Sequence, residues 1–458
     1  MTWSWFRRLA LAVSFSSACI VATQAAPTVV AISRADANPT NAATVDYTVE
    51  FSEDVDGFTT ESLSLVTSGT SGLVDSIIPT TGTTFTVTIL SVSGDGTLRL
   101  DLTDGTSITS SNDLSGLIGT PYTGEVYDID QTAPIADSLT GTDANPTSAT
   151  SLAWLLAFSE PVTGVTSSSF ALSGAGVSGT ISDPTTTDGI TWTVIVTSVA
   201  GDGTLGVDLV TTAGILDAAG NSLANLINGS VYTVDQTPPQ PVSFVTTGAN
   251  PTSGTTVQWQ LVFSEPVTTL SVANLTLIPT GVTATLDAPV TTDGGTTWLI
   301  DASSIAGNGQ LGIELTASTG ILDAAGNEAV GIPFTGGVFD IDQDAPTVTS
   351  IVRADANPTS ATSLNWTVTF SESVTTLPQS AFTFTGTGVT ATLASPSTSD
   401  GGVTWNLTAT GVSGDGTLGV DLTVATDITD AAGNLLSNVP FVGEVYTCLL
   451  YTSPSPRD

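Results

Sequence analysis

The sequence predicts an all-β chain, a tandem array of four seven-stranded antiparallel β-sandwiches. Three observations predict it. The first is a long internal period. Asn-Pro recurs at Asn38, Asn145, Asn250 and Asn357, and a Ser-Glu pair recurs with its acid at Glu53, Glu160, Glu265 and Glu372. Both series have spacings of 107, 105 and 107 residues, which is the size of a whole small domain and far longer than a solenoid repeat. The second is strict apolar–polar alternation, as in Leu364-Asn365-Trp366-Thr367-Val368-Thr369-Phe370. A period of two marks a strand with one face buried. The third is a glycine-flanked turn at Asp95, Asp202, Asn308 and Asp415, repeated in step with the other two.

The strands can be placed in the second repeat near 134–141, 150–158, 168–173, 177–182, 190–199, 204–210 and 227–234. Thr, Val and Ile fill them, as β-strands prefer, and no stretch sustains a helical period. Seven short strands with turns between them in about 100 residues is the immunoglobulin-like pattern. Each repeat supplies two aromatics in phase with Leu, Val and Phe. One set is Tyr47, Trp154, Trp259 and Trp366, on the second strand; the other is Phe85, Trp192, Trp298 and Trp405, on the fifth. That phase predicts core packing rather than an exposed carbohydrate platform. The Gly-Asp-Gly turns are expected to be tight hairpins joining strands five and six, remote from any functional site. The predicted boundaries are 27–130, 131–235, 236–342 and 343–447.

Composition narrows the function. Forty-three Asp and Glu stand against six Arg, with no Lys, for a net charge of −37. Nucleic acid is excluded as a partner, because phosphate neutralisation needs cationic side chains, and docking on anionic membrane surfaces is disfavoured for the same reason. Hydrophobic residues make up 40%, too many for a disordered acidic chain. There is no His, and Cys occurs only at Cys19 and Cys448. Ser–His–Asp triads, Cys–His pairs and Cys/His zinc sites therefore cannot be built.

Both ends read as something other than fold. Residues 1–25 have the character of a secretory signal peptide, with Arg7 and Arg8 before a short apolar run and small residues at Ala25 and Ala26. Processing as a lipoprotein at Cys19 is the competing reading, and the preceding Ser16-Ser17-Ala18 lacks the expected Leu. Residues 448–458 break the repeat pattern at Cys448 and resemble a translated sequencing adapter. On that reading the chain is an N-terminal fragment, and any surface attachment lies in a missing C-terminal region. The expected location is secreted or cell-surface.

Phe158-Ser159-Glu160-Pro161-Val162, Asp217-Ala218-Ala219-Gly220-Asn221 and Asp130-Gln131-Thr132-Ala133-Pro134 resemble the repeats of bacterial Ig-like surface proteins, which share features with cadherin-like modules. The resemblance covers nearly everything from Pro27 to Thr447. It implies a surface adhesin or secreted stalk, often with calcium at the domain junctions. The first repeat departs from the pattern, with Ser111-Asn112-Asp113-Leu114-Ser115-Gly116 in place of Asp-Ala-Ala-Gly-Asn.

Alternating strand direction puts the linker, the Ser-Glu loop and the Asp-Ala-Ala-Gly-Asn loop at one end of a repeat. The residues expected to converge at the first linker are Asp128, Asp130, Glu160, Asp217 and Asn221. At the second they are Asp235, Glu265, Asp323 and Asn327, with Thr233 in place of one acid. At the third they are Asp340, Asp342, Glu372, Asp430 and Asn434. Carboxylates and an amide oxygen are the ligands calcium takes, six to eight at a time. One acid fewer predicts a weaker second site, and the first repeat, with no linker before it, is expected to lack one. Against this stands the ordinary use of Asp, Asn and Gly as turn formers.

Two functions fit. One is a non-enzymatic stalk or adhesive array, stiffened by Ca2+, whose partner is a surface ligand of protein or glycan type, with no membrane insertion in this stretch. The other is an accessory region of a secreted polysaccharide-degrading enzyme whose catalytic domain lies outside the fragment. Catalysis by the repeats themselves, through paired carboxylates, conflicts with the recurrence of the same acids in every repeat.

Overall fold

A computed structural model describes residues 25–449. The signal-peptide reading, Cys19 and all of the divergent tail beyond Leu449 lie outside the described residues. The chain divides into two compact units. One runs up to Asp143 and includes Thr150–Tyr232; the other comprises Ala144–Ala149 and the chain from Thr233 onward. Among the described residues the helical elements are four 3-10 turns of three residues each, such as Ser167–Ser169. No helix among the described residues is long and apolar enough to cross a membrane.

In the first unit, repeat one pairs Val29–Arg34, Val45–Asp56, Gly82–Ser93 and Ser71–Ile78 in one sheet, and Leu63–Ser68, Gly96–Leu102 and Tyr122–Ile129 in the other. Repeat two follows the same plan. One sheet holds Ala136–Gly141, Ser151–Phe158, Thr191–Ala200 and Ser178–Ile181; the other holds Phe170–Ala175, Gly203–Leu209 and Ile227–Val234. These seven strands lie within two residues of the predicted positions at every end. The additional strand, Thr185–Thr186, pairs Thr186 with Trp192.

In the second unit, repeat four repeats this arrangement, with Val348–Arg353, Ser363–Phe370, Thr404–Ser413 and Thr390–Leu393 facing Phe382–Thr387, Gly416–Leu422 and Val445–Cys448. The last strand runs through Cys448, which is buried, and its bridge to Thr359 matches that of Ile129 to Thr40. In repeat three both layers form one hydrogen-bonded sheet, because Thr297–Leu315 and Leu275–Leu286 run continuously from one layer into the other.

That continuity explains the Gly-Asp-Gly turns, which are not hairpins. Strands five and six of repeat two, Thr191–Ala200 and Gly203–Leu209, belong to different sheets. The turn is a corner at which the chain changes layer. Gly201 and Gly203 have φ of 104° and 148°, and a Cβ on Gly203 would lie 2.1 Å from the Ala175 carbonyl oxygen. Only glycine allows the crossing backbones to approach so closely.

The alternating residues fill the core as expected. Tyr47, Trp154, Trp259 and Trp366 are fully buried, and Phe85, Trp192, Trp298 and Trp405 are buried as well. Each second-strand indole also satisfies its N–H. Trp366 donates to the Glu444 carbonyl at 2.7 Å and packs edge-on to Tyr446, with ring centroids 4.9 Å apart. Burial of the ring with a partnered N–H is what a core tryptophan requires.

Candidate metal centre

The loop after the sixth strand sets the first acid. Asp217 accepts the backbone N–H groups of Gly220 and Asn221 on Oδ1, at 2.7 and 2.9 Å, and the Asn221 side-chain amide on Oδ2, at 2.8 Å. Five residues, Asp217 to Asn221, thus close into a turn around one carboxylate, which is buried at 6% exposure. Asp323 and Asp430 are built in the same way, with Asn327 and Asn434 donating to Oδ2 at 2.8 Å in each case. The linker supplies the second acid. Asp130, Asp235 and Asp342 each accept, on Oδ1, the N–H two residues ahead at 3.1 Å. Glu160, Glu265 and Glu372, at the end of the second strand, supply the third.

The three acids of each group meet. Asp130, Glu160 and Asp217 offer carboxylate oxygens all within 4.8 Å of one another, and so do Asp235, Glu265 and Asp323, and Asp342, Glu372 and Asp430. No cationic side chain among the described residues offsets them. Among the described residues Arg34, Arg99 and Arg353 pair with Glu125, Asp101 and Glu444. Burial, and then the charges of Asp130, Asp217 and Asp95, push the Glu160 carboxyl above its ordinary range. Burial, and then Asp342, Asp430 and Asp344, do the same to Glu372. Desolvation and like charge both penalise the anion.

Other residues expected at the site fall elsewhere. Asp128 and Asp340 are outside the clusters. Asp128 is exposed, and its carboxylate accepts the side-chain amide of Asn38 at 3.0 Å; that of Asp340 accepts Gln310 at 3.0 Å. Residues two apart on a strand point the same way but stand about 6.5 Å apart, so only the second acid of each linker reaches the loop. Thr233 occupies the Asp128 position, so it removes nothing: all three linkers carry the same three acids. Asn221, Asn327 and Asn434 are not oxygen donors to the cluster. Each turns its amide nitrogen inward, and the Asn221 oxygen accepts Asn41 at 3.1 Å. In repeat one, Ser110 stands where Asp217 stands in repeat two, and its hydroxyl donates to Glu53 at 3.1 Å.

Asp95 was missed. Its Gly-Asp-Gly corner faces the linker that leaves its own repeat, where its carboxylate accepts the Gln131 N–H at 2.6 Å and the Thr132 hydroxyl. Those bonds, the hydroxyl first, hold Asp95 below the usual carboxylate range. The third linker exchanges the pair. Asn308 takes the Asp95 role, accepting the Gln343 N–H at 2.6 Å, and Asp344 replaces Thr132. One extra acid therefore accompanies the triad at both linkers. The signal was legible as a compensating Asp/Thr to Asn/Asp exchange between repeats.

No family model and no curated protein matches the chain. Several solved structures do. FdeC, an Escherichia coli adhesin, is 20% identical with a TM-score of 0.38, over 69% of this chain and 98% of that one. Invasin, a bacterial integrin-binding protein, is 11% identical with a TM-score of 0.36, over 87% and 76%. InvD of Yersinia pseudotuberculosis is 14% identical with a TM-score of 0.29, over 69% and 98%. Bacterial adhesins thus stand among the solved structures to which this chain is similar, and the similarity is one of fold.

Proposed function

We propose that the chain is a non-enzymatic extracellular array of immunoglobulin-like repeats, spanning 27–130, 131–235, 236–342 and 343–447, that works as a stalk or adhesive surface with Ca2+ at its linkers. The observation that carries the reading is the recurrence of one three-carboxylate group at three successive linkers. An active site normally occurs once, whereas a structural site repeats with the repeat. The donor set suits the ion. Asp130, Glu160 and Asp217 and their counterparts offer only hard oxygens, and the set includes neither imidazole nor thiolate to favour a softer metal. Each triad would hold the ion through carboxylate lone pairs beyond those its loop hydrogen bonds use, with backbone carbonyls and water completing the shell. The bound ion would offset the burial and the like-charge repulsion that raise Glu160 and Glu372. The partner of such an array is a surface ligand, protein or glycan.

Calorimetric titration of the chain with calcium chloride tests this. Three sites per chain are expected, falling to one in the Glu160→Gln/Glu372→Gln double variant. No heat at millimolar calcium would return the triads to the role of turn formers.

A further inference from the structure

Each linker also carries a set of contacts that involve no cation. In the first unit, Gln131 anchors the linker to repeat one: its side-chain nitrogen donates to the carbonyls of Asn41 and Val92, at 3.2 and 3.1 Å, and its oxygen accepts the Gly94 N–H at 3.2 Å. Repeat two grips the same segment from the other side. Asn221 donates to the Asp130 carbonyl at 2.8 Å, and the Ala219 carbonyl accepts the Asn41 N–H at 3.2 Å. In the second unit the set recurs: Gln343 bonds Ile305 and Gly307, Asn434 donates to the Asp342 carbonyl at 2.8 Å, and the Ala432 carbonyl accepts the Ser253 N–H at 3.0 Å. The Ser148 N–H donates likewise to Ala325 at 3.1 Å, with Asn327 bonded to the Asp235 carbonyl at 2.8 Å.

We propose that these contacts form a hydrogen-bonded latch that couples successive repeats in the absence of any cation, with Asn221 and Asn434 as its central positioning residues. Its donors and acceptors are backbone groups and neutral amides, so removing a metal leaves every partner in place. The Asn sits where two tasks meet. One amide group bonds both the buried Asp of its own repeat and the linker carbonyl, so the following repeat cannot swing away without stranding the polar groups of a buried turn. Burial agrees with this. Asn41, Ser148 and Ser253 are partly covered, whereas Ser360, at the same loop position in repeat four, is exposed. The latch does not rest on the calcium reading and assigns the ion a different task, relief of charge repulsion rather than creation of the junction.

Amide hydrogen exchange on the full chain in excess chelator tests it, with Ser360 as the internal reference. The Asn41 and Ser253 amides should be protected about 100-fold more than Ser360, as an opening reaction predicts. Asn434→Ala should bring Ser253 to the Ser360 level while Asn41 stays protected. The wild-type comparison decides even if that variant folds poorly. Protection factors at Asn41 and Ser253 equal to that of Ser360 would overturn the latch. If calcium then restored them, the cation reading would stand and the latch alone would fall.

Discussion

The side-chain nitrogen of Asn434 lies 2.8 Å from Oδ2 of Asp430, so the residue that ligand counting offers as an oxygen donor instead presents N–H to the acid beside it. With the Asn434 backbone N–H on Oδ1 it gives both oxygens of the buried carboxylate a donor, and the same amide nitrogen ties the loop to the linker through the Asp342 carbonyl. The same pair occurs as Asn221 with Asp217 and as Asn327 with Asp323.

Replacing Asn221 by Ala should therefore destabilise the first unit by about 1–3 kcal/mol, because the Asp217 oxygen and the Asp130 carbonyl lose a donor. Denaturant unfolding checks the size. A midpoint unchanged from wild type would mean that water replaces the amide without cost.

Trp366→Ala should destabilise repeat four by about 3–5 kcal/mol through the cavity it leaves. The ring is fully buried and packs against Tyr446. A variant that unfolds like wild type yet loses binding to a glycan array would contradict a core role.

Glu160→Gln should act in opposite directions with and without cation. The Glu160 carboxyl is raised, so the folded state binds its proton more tightly than the unfolded chain does. The associated stability is present below the ordinary pKa of 4.5 and is lost as pH rises through the raised value. At neutral pH in chelator, the neutral Gln should raise the melting temperature. In calcium it should weaken binding, since affinity follows ligand charge. Shifts of the same sign in both conditions would contradict this.

Asp293 and Asp400 give the acid limb. Backbone N–H groups of Thr297 and Thr404, the largest cause in each case, hold the carboxyls down to about 2 from 3.8. A depressed pKa contributes stability above the unfolded value that is lost as pH falls through the folded one. The melting temperature should therefore drop between about pH 4 and pH 2, and Asp293→Asn with Asp400→Asn should flatten the curve in that window. An unchanged slope would place the acid sensitivity elsewhere.

Much of this protein is readable along the chain. The period at Asn-Pro and Ser-Glu, the alternation around Trp366 and the glycine-flanked turns determine the repeats, their strands and their buried faces, because each is a local pattern. Even the meeting of Glu160 with Asp217 follows from strand direction alone. Tertiary structure decided what direction alone leaves open. The spacing along the strand turned Asp128 and Asp340 away from the cluster. The hydrogen-bond demand of a buried turn pointed the amide nitrogens of Asn221 and Asn434 inward. The change of sheet at Gly94 and Gly96 carried Asp95 to the linker that leads into the next repeat. Each depends on where a side chain of fixed reach ends up after two layers have packed, and no residue pattern within one strand encodes that position.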